Sequence, residues 1–238
     1  MKLSILIPVY NERRLLPELL KKLTAALPSL DKEVILVDDG STDGTREWIR
    51  ETLAGANGPI EPYDRLPLKV IFHDRNQGKG AAIRTALRAA TGDAMVVQDA
   101  DLEYDPADLV PMLRLIVEGH ADVVYGSRFY GRPHRCLYFH HYFANKLISM
   151  LFSILYNQIL SDLEVCYKMF RREVLECLSL RSNDFGFEIE FSANVARARL
   201  RIYEIGISYF GRTYAEGKKI SWKDGVKALW YVFRFRFA

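Results

Sequence analysis

The sequence has few cysteines, and their spacing excludes two common ways of stabilising a small domain. Its 238 residues include three cysteines, Cys136, Cys166 and Cys177, an odd number without a C-x-x-C pair. This excludes a disulfide framework and a zinc site built on paired cysteines. Isolated thiols are typical of proteins in a reducing compartment, so we expect a cytoplasmic location.

Long apolar runs and an excess of charge of one sign are also missing. Residues 137–160 and 222–237 are rich in aromatics, but Asn145 and Asn157 interrupt the first, and neither supplies the ~20 apolar residues of a membrane span. The N-terminal apolar run ends at Pro8 without a signal-peptide cleavage site. A net charge of +3 gives no indication of a nucleic-acid partner. We expect a soluble or membrane-peripheral chain.

Two signatures of nucleotide-binding proteins are absent. Gly78, Lys79 and Gly80 are similar to part of a phosphate loop, but glycine follows the lysine where a Walker A motif needs Ser or Thr. A G-x-G-x-x-G dinucleotide fingerprint is also missing. ATPase and NAD-dependent dehydrogenase functions therefore lose their main support.

The sequence does contain a repeated alternation of short apolar runs and amphipathic segments. The runs that predict strands lie at residues 3–9, 34–37, 68–72, 94–98 and 122–125. Segments with helical spacing separate them, which predicts an α/β fold with a mostly parallel sheet flanked by helices. After residue 128 the alternation stops, and we expect helices up to a possible strand pair around residues 201–210.

Polar residues cluster where four of these predicted strands end. In chain order they include Glu12, Asp38, Asp39, Lys79, Asp99 and Asp101. Ligands of open parallel sheets bind at the carboxyl ends of the strands. Asp99 and Asp101 follow a buried strand one residue apart, and such a pair can hold Mg²⁺ or Mn²⁺ together with substrate phosphates. The residues thus predict a nucleoside-diphosphate site that uses a divalent metal.

In combination, these motifs resemble glycosyltransferase family 2. The resemblance covers at least residues 3–130 and is carried by residues 7–12, 37–45, 76–80 and 99–101. It implies a Rossmann-like GT-A fold, a nucleotide-sugar donor linked to GDP or UDP, a divalent metal and inversion at the anomeric carbon. Residues 99–103 and 126–128 look most like the branch that transfers mannose or glucose to polyprenyl or dolichyl phosphate.

The resemblance also implies roles for individual residues. Those implied in donor binding are Pro8, Tyr10, Glu12, Asp38, Asp39, Lys79, Asp99, Ala100, Arg212 and Lys218. The metal would be held by Asp99 and Asp101, with Glu103 as a further ligand. Glu103 departs from the branch, which commonly has Gln there, and the extra carboxylate would alter metal preference.

A basic loop at residues 212–220 resembles the loop that closes over the donor in this branch. Arg212 and Lys218, on either side of the flexible region at Gly217, would neutralise the charge of the departing diphosphate. The alternative is an ordinary solvated basic loop. Residues 162–168 resemble a further segment of the branch, with Cys166 in the usual glycine position.

The sequence leaves two acceptors open. A polyprenyl phosphate is already anionic and needs no protein base, and Arg128 and Arg135 are the candidates for binding it. A sugar hydroxyl in surface-glycan synthesis would need a carboxylate base. The candidate bases are Asp162 and Glu164, ahead of Glu188 and Glu190. A sugar nucleotidyltransferase is disfavoured because its usual Gly-rich opening loop is absent.

Residues 222–237 predict an amphipathic helix at the C-terminal end of the sequence. Its apolar stripe consists of Trp222, Val226, Leu229, Trp230, Phe233 and Phe237. Flanking cations suit such a helix to a membrane headgroup layer, and packing on the domain is the alternative. We expect one structural domain in which residues 1–130 bind the donor and residues 131–238 face the acceptor and the membrane. The alternative that is not an enzyme is a catalytically silent membrane-binding module, and the intact Asp99 and Asp101 argue against it.

Overall fold

The computed structural model describes residues 1–55, 58–136, 138–216 and 222–237. Within these residues the strands are β1 (Leu3–Val9), β2 (Lys32–Asp38), β3 (Leu68–Phe72), β4 (Ala94–Val97), β5 (Val123–Ser127), β6 (Lys168–Arg171) and β7 (Ile202–Gly206). The α-helices are α1 (Leu16–Ala26), α2 (Thr45–Thr52), α3 (Lys79–Ala89), α4 (Leu109–Val117), α5 (Phe139–Tyr156), α6 (Gly186–Arg197) and α7 (Trp222–Phe237). Short 3-10 helices lie at Pro106–Asp108, Arg172–Cys177 and Tyr214–Glu216.

The strands form one sheet in the order β3-β2-β1-β4-β6-β5-β7. Every pairing is parallel except those of β6, which runs antiparallel to β4 and β5. This confirms the expected α/β architecture with a mostly parallel sheet. Strands from both halves of the chain hydrogen-bond to each other in this sheet.

The second half of the chain differs from the sequence prediction in two places. The expectation of an all-helical stretch up to residue 201 is wrong, because β6 inserts between β4 and β5. Four residues followed at once by a 3-10 helix are too short to show a strand period. The possible strand pair around residues 201–210 is a single strand, β7, and Tyr209 beyond it makes isolated bridges to Tyr104 and His134.

The central strands are continuous apolar runs because helices cover the sheet on both faces. In β1 and β4 almost every side chain is buried, including the whole of β4. Helix α1 places Leu16, Leu19, Leu20 and Leu23 in the core, with the spacing of one helix face. The polar loops that follow β1, β2 and β4 therefore start from a rigid edge.

Gly78 allows the loop after β3 to approach the segment before α6. Its φ of 97° and ψ of 158° lie in a region that only glycine adopts readily. A Cβ at this position would collide with the carbonyl oxygen of Asn183. That same oxygen accepts a hydrogen bond of 2.8 Å from the amide of Gly80, at the start of α3.

We expect Gly78→Ala to destabilise the protein more than Gly119→Ala. Gly119 also has a positive φ, but a Cβ there would meet open space, so its replacement costs about 1–2 kcal/mol. At Gly78 the collision adds to the backbone strain. Urea denaturation of both variants measures the difference, and equal losses of unfolding free energy would contradict this account.

Candidate functional site

The turn after β4 gathers three carboxylates at the carboxyl edge of the sheet, and Arg212, from the loop after β7, contacts two of them. Its Nη2 lies 3.0 Å from Asp101 Oδ2, its Nε lies 3.1 Å from Glu103 Oε1, and its Nη1 lies 4.0 Å from Glu12 Oε2. The third carboxylate of the turn is Asp99. One guanidinium thus connects the ends of two neighbouring strands, β1 and β4, to the predicted closing loop.

Asp101 has an unusual protonation equilibrium. Burial raises its pKa to about 7, and the negative charges of Asp99 and Glu103 add to the effect, while Arg212 opposes it. A further cation nearby would favour the ionised form of a buried carboxyl that has two acidic neighbours. Oxygen ligands from one or two carboxylates, completed by substrate phosphates, are also what Mg²⁺ and Mn²⁺ commonly use.

The metal-binding role of Asp99 and Asp101 stays a prediction, because both side chains are already engaged within the protein. Both oxygens of Asp99 contact Lys79 Nζ, and those of Asp101 accept hydrogen bonds from Arg212 and from the Glu103 amide. No group of three or more His, Cys, Asp or Glu side chains in the described part of the chain is arranged to hold a metal ion by itself. Glu103 has protein partners for both oxygens, because Oε1 contacts Arg212 and Oε2 accepts a 3.0 Å hydrogen bond from the Tyr209 hydroxyl. Ala100 lies between the two aspartates and is buried.

Lys79 brings a second cation to the same turn from the first residue of α3. Its Nζ lies 2.8 Å from Asp99 Oδ1 and 3.3 Å from Glu188 Oε1 on α6. Burial alone would lower its pKa, but the negative charges around it, Asp99 first, hold that pKa well above the usual value. Lys79 therefore carries its charge beside the carboxylate turn.

The two aspartates that end β2 organise loops. Asp39 accepts hydrogen bonds from the amides of Gln77 (2.9 Å) and Gly78 (2.8 Å), and its Oδ1 lies 2.6 Å from His73 Nδ1. Asp38 is buried and lies 2.6 Å from the Nε of Arg46. In this arrangement both carboxylates are occupied within the protein, and their contact with a nucleoside stays a prediction.

The predicted donor-binding residues of β1 lie at the rim of this edge. Pro8 is half-buried in the strand, and the Tyr10 side chain beyond it is exposed. The Nη1 of Arg135 lies 2.7 Å from Glu216 Oε2, in the segment after β7. Lys218, the other predicted cation of the closing loop, lies outside the described residues.

Asp162 is fully buried in a two-pronged ion pair with Arg128. The Nε and Nη2 of Arg128 each lie 2.7 Å from an oxygen of Asp162, and the Asn145 amide donates a further hydrogen bond of 3.0 Å to this carboxylate. Burial would raise the pKa of Asp162, but Arg128 and these hydrogen bonds outweigh it and lower that pKa. An occupied carboxylate of lowered pKa is poorly suited to the predicted role of base.

Glu164 differs from Asp162 in both respects. Its Oε1 is buried and has no hydrogen-bond partner among the described residues. Burial raises its pKa to about 7, with Lys168 opposing and Glu188 adding to the shift. A carboxyl with this pKa has the proton affinity of a general base near neutral pH.

Sequence reasoning missed two residues that shape the site, Asn145 and Tyr209. Asn145 lies within an apolar stretch of α5 and was interpreted only as an interruption, whereas it hydrogen-bonds to Asp162. The Tyr209 ring lies under the Arg128 guanidinium at 5.2 Å, and its hydroxyl contacts Glu103. A polar residue within an apolar helix was the available signal for Asn145, and nothing in the sequence pattern marked Tyr209.

Comparison with known families shows the family of this chain. The model for glycosyl transferase family 2 matches residues 4–179, most of the chain and all of the strands except β7. The chain belongs to glycosyltransferase family 2. A dolichol-phosphate mannosyltransferase from Pyrococcus furiosus is 30% identical over 221 residues, which are 92% of this chain and 59% of that protein. This chain therefore spans about three fifths of the length of that relative.

Two solved structures share the fold of this chain. Glucosyl-3-phosphoglycerate synthase from Mycobacterium tuberculosis, in complex with Mn²⁺, UDP and glucosyl-3-phosphoglycerate, has a TM-score of 0.72 at 17% identity, covering 98% of this chain and 78% of that one. TarS 1-349 from S. aureus, in complex with UDP-GlcNAc, has a TM-score of 0.60 at 22% identity, covering 99% and 66%. These likenesses confirm the expected GT-A fold.

We expect Glu164→Gln to change the pH dependence of stability. Because the pKa of Glu164 is raised from 4.5 to about 7, the folded protein binds a proton that the unfolded chain has released within this range. The unfolding free energy of the wild type should therefore fall, relative to the variant, as pH rises from 4.5 to 7. Denaturation at several pH values measures this difference, and a difference independent of pH would contradict the assignment.

Proposed function

We propose that this chain is an inverting glycosyltransferase that moves a hexose from a GDP- or UDP-sugar to a polyprenyl phosphate. The observation that carries the proposal is the carboxylate turn after β4, held by Arg212 and Lys79 at the edge where family 2 enzymes would bind a donor. The Pyrococcus relative, named as a dolichol-phosphate mannosyltransferase, supports a lipid-phosphate acceptor. The solved relatives in complex with UDP support a nucleotide-linked donor.

In this proposal each charged group has a distinct task. Asp99 and Asp101 would hold Mg²⁺ or Mn²⁺, and the metal would supply positive charge for the diphosphate leaving group. Arg212 and Lys79 lie on the same carboxylates and would add cationic charge at that edge. The acceptor phosphate oxygen would attack the anomeric carbon and displace the nucleoside diphosphate, which inverts the configuration.

A sugar hydroxyl is the second candidate acceptor, and one observation favours it. Hydroxyl transfer needs a base, and Glu164 has a buried oxygen without a hydrogen-bond partner among the described residues and a pKa of about 7. Transfer to a phosphate makes no such demand. Replacement of Glu164 by Gln therefore separates the two acceptors: hydroxyl transfer would be lost, and phosphate transfer would persist.

A donor assay with and without polyprenyl phosphate tests the function. We expect Mn²⁺-dependent release of GDP or UDP that requires the lipid phosphate, and a loss of at least about 100-fold in Asp101→Asn, because metal charge stabilisation contributes several kcal/mol. Asp105→Asn is the matched control, since Asp105 lies in the same turn and caps the next short helix. Transfer to hydroxyl acceptors alone would overturn the lipid-phosphate proposal.

We further propose that α5 and α7 bind the cytoplasmic face of a membrane. No helix within the described residues is long and apolar enough to cross one. However, most of the predicted apolar stripe is exposed on α7, at Val226, Trp230, Phe233 and Phe237. Leu229, which the sequence placed in the same stripe, packs against the core instead. The exposed Lys227, Arg234 and Arg236 lie among these apolar side chains, as at a headgroup layer.

Helix α5 carries a second apolar stripe beside the first. Phe139, Phe143, Met150 and Ile154 are exposed and lie at helical spacing on one side of α5. The two helices are joined where Arg236 Nε donates a 2.9 Å hydrogen bond to the carbonyl of Leu155. In this proposal the stripes of the two helices bind the membrane together.

Vesicle sedimentation tests the membrane contact. We expect binding that is stronger to anionic than to neutral vesicles, and at least about tenfold weaker in Phe143→Gln/Ile154→Gln, because each buried large side chain contributes about 1.5 kcal/mol or more. Val110→Gln/Val117→Gln is the control, since these valines of α4 are also exposed. Equal binding by both variants would contradict the proposed surface.

A further inference from the structure

Four charged side chains form a partly buried row of alternating sign that begins at the carboxylate turn. Lys79 Nζ lies 2.8 Å from Asp99 and 3.3 Å from Glu188 Oε1, and Glu188 Oε2 lies 2.5 Å from Lys168 Nζ. The side chains of Glu188 and Lys168 are 4% and 2% exposed. The row crosses from α3 through α6 to β6, and thus joins the carboxylate turn to the middle of the sheet.

Lys168 is the fixed end of this row. It lies on β6 between two other strands, and its ammonium also donates a hydrogen bond to the carbonyl of Val165. Lys79 is the more exposed of the two lysines, with a side chain 16% exposed, and its ammonium lies 5.7 Å from the centre of the Phe185 ring. Glu188 is held by Lys168 through Oε2 and faces Lys79 through Oε1.

The ion pair with Lys168 gives Glu188 a structural role, but this pair involves only one of its two carboxylate oxygens. The pair with Lys168 already compensates the carboxylate, and a buried ion pair is often no more stabilising than apolar residues of the same volume. Glu188 Oε1 nevertheless faces Lys79 as an ion-pair partner, without a hydrogen bond of its own. That oxygen is placed to act on Lys79.

We propose that Glu188 is a positioning residue that keeps Lys79 at the donor edge. Lys79 and a metal would share the Asp99 carboxylate, so metal binding weakens the hold of Asp99 on the ammonium. Glu188 supplies a second counter-charge, which retains Lys79 beside the metal ligands while the diphosphate binds. This inference rests on the proposed function, because it requires a metal and a nucleoside diphosphate at this edge.

The test is metal and nucleotide binding by a charge-balanced variant. Glu188→Gln alone would leave Lys168 buried without its counter-charge, so the variant is Lys168→Met/Glu188→Gln. Mn²⁺ binding in the presence of GDP or UDP, followed by the electron paramagnetic resonance signal of free Mn²⁺, is expected to weaken about 10- to 100-fold, the range for residues that orient metal ligands. Adding Lys79→Met should cause no further loss, because Glu188 acts through Lys79.

Two further variants separate positioning from folding. Glu188→Asp keeps a carboxylate as the counter-charge for Lys168, but its shorter side chain would lie farther from Lys79. This variant should therefore fold, and it should bind Mn²⁺ and nucleotide more weakly than the wild type does. Glu190→Gln is the matched control, because Glu190 is equally buried on α6 but accepts hydrogen bonds from the amides of Arg181 and Ser182. The control should bind as the wild type does.

The outcomes distinguish this inference from the function on which it rests. Wild-type binding of Mn²⁺ with nucleotide, unchanged in the Glu188 variants, would overturn the positioning role alone. Additive losses from Lys79→Met and the Lys168→Met/Glu188→Gln pair would overturn it as well. Absence of any Mn²⁺ and nucleotide binding by the wild type would overturn both the proposed function and the inference.

Discussion

Repulsion among carboxylates at the carboxyl edge of the sheet is the constraint to which the rest of the site responds. Asp99, Asp101 and Glu103 leave the same strand within five residues, and burial prevents water from screening their charges. The compensating cations come from distant parts of the chain, Arg212 after β7 and Lys79 at the start of α3. The acidic turn is therefore stable only in the assembled fold, where these elements meet.

The antiparallel strand β6 gives the second half of the chain access to this edge. It lies beside β4 and runs antiparallel to it, so the segment before it, with Asp162 and Glu164, lies at the carboxyl edge of the sheet, and Lys168 on the strand itself contacts Glu188. The two acidic residues of that segment have opposite environments although they are two positions apart. Asp162 is neutralised by Arg128, and Glu164 is desolvated with one oxygen unpaired within the described structure.

The sequence was sufficient to predict the architecture and the gathering of acidic residues at the carboxyl edge of the sheet, because both depend on local patterns. Apolar runs ending in Asp38, Asp39, Asp99 and Asp101 follow from strand burial and from the position of ligands in parallel sheets. What could not be predicted depends on contacts between residues far apart in sequence. Neither the pairing of Arg212 with the β4 turn nor the insertion of β6 leaves a periodic signal, since each is determined by packing of the whole fold.

The segment after β7 also joins two surfaces that have been described separately. It carries Arg212 at the carboxylate turn and, two residues later, Tyr214, whose hydroxyl lies 2.9 Å from His141 Nε2 on α5. A single short segment thus contacts both the polar edge and the helix with an apolar stripe. Thermodynamic linkage between such sites is reciprocal: a ligand that favours one position of this segment biases the other surface by the same free energy.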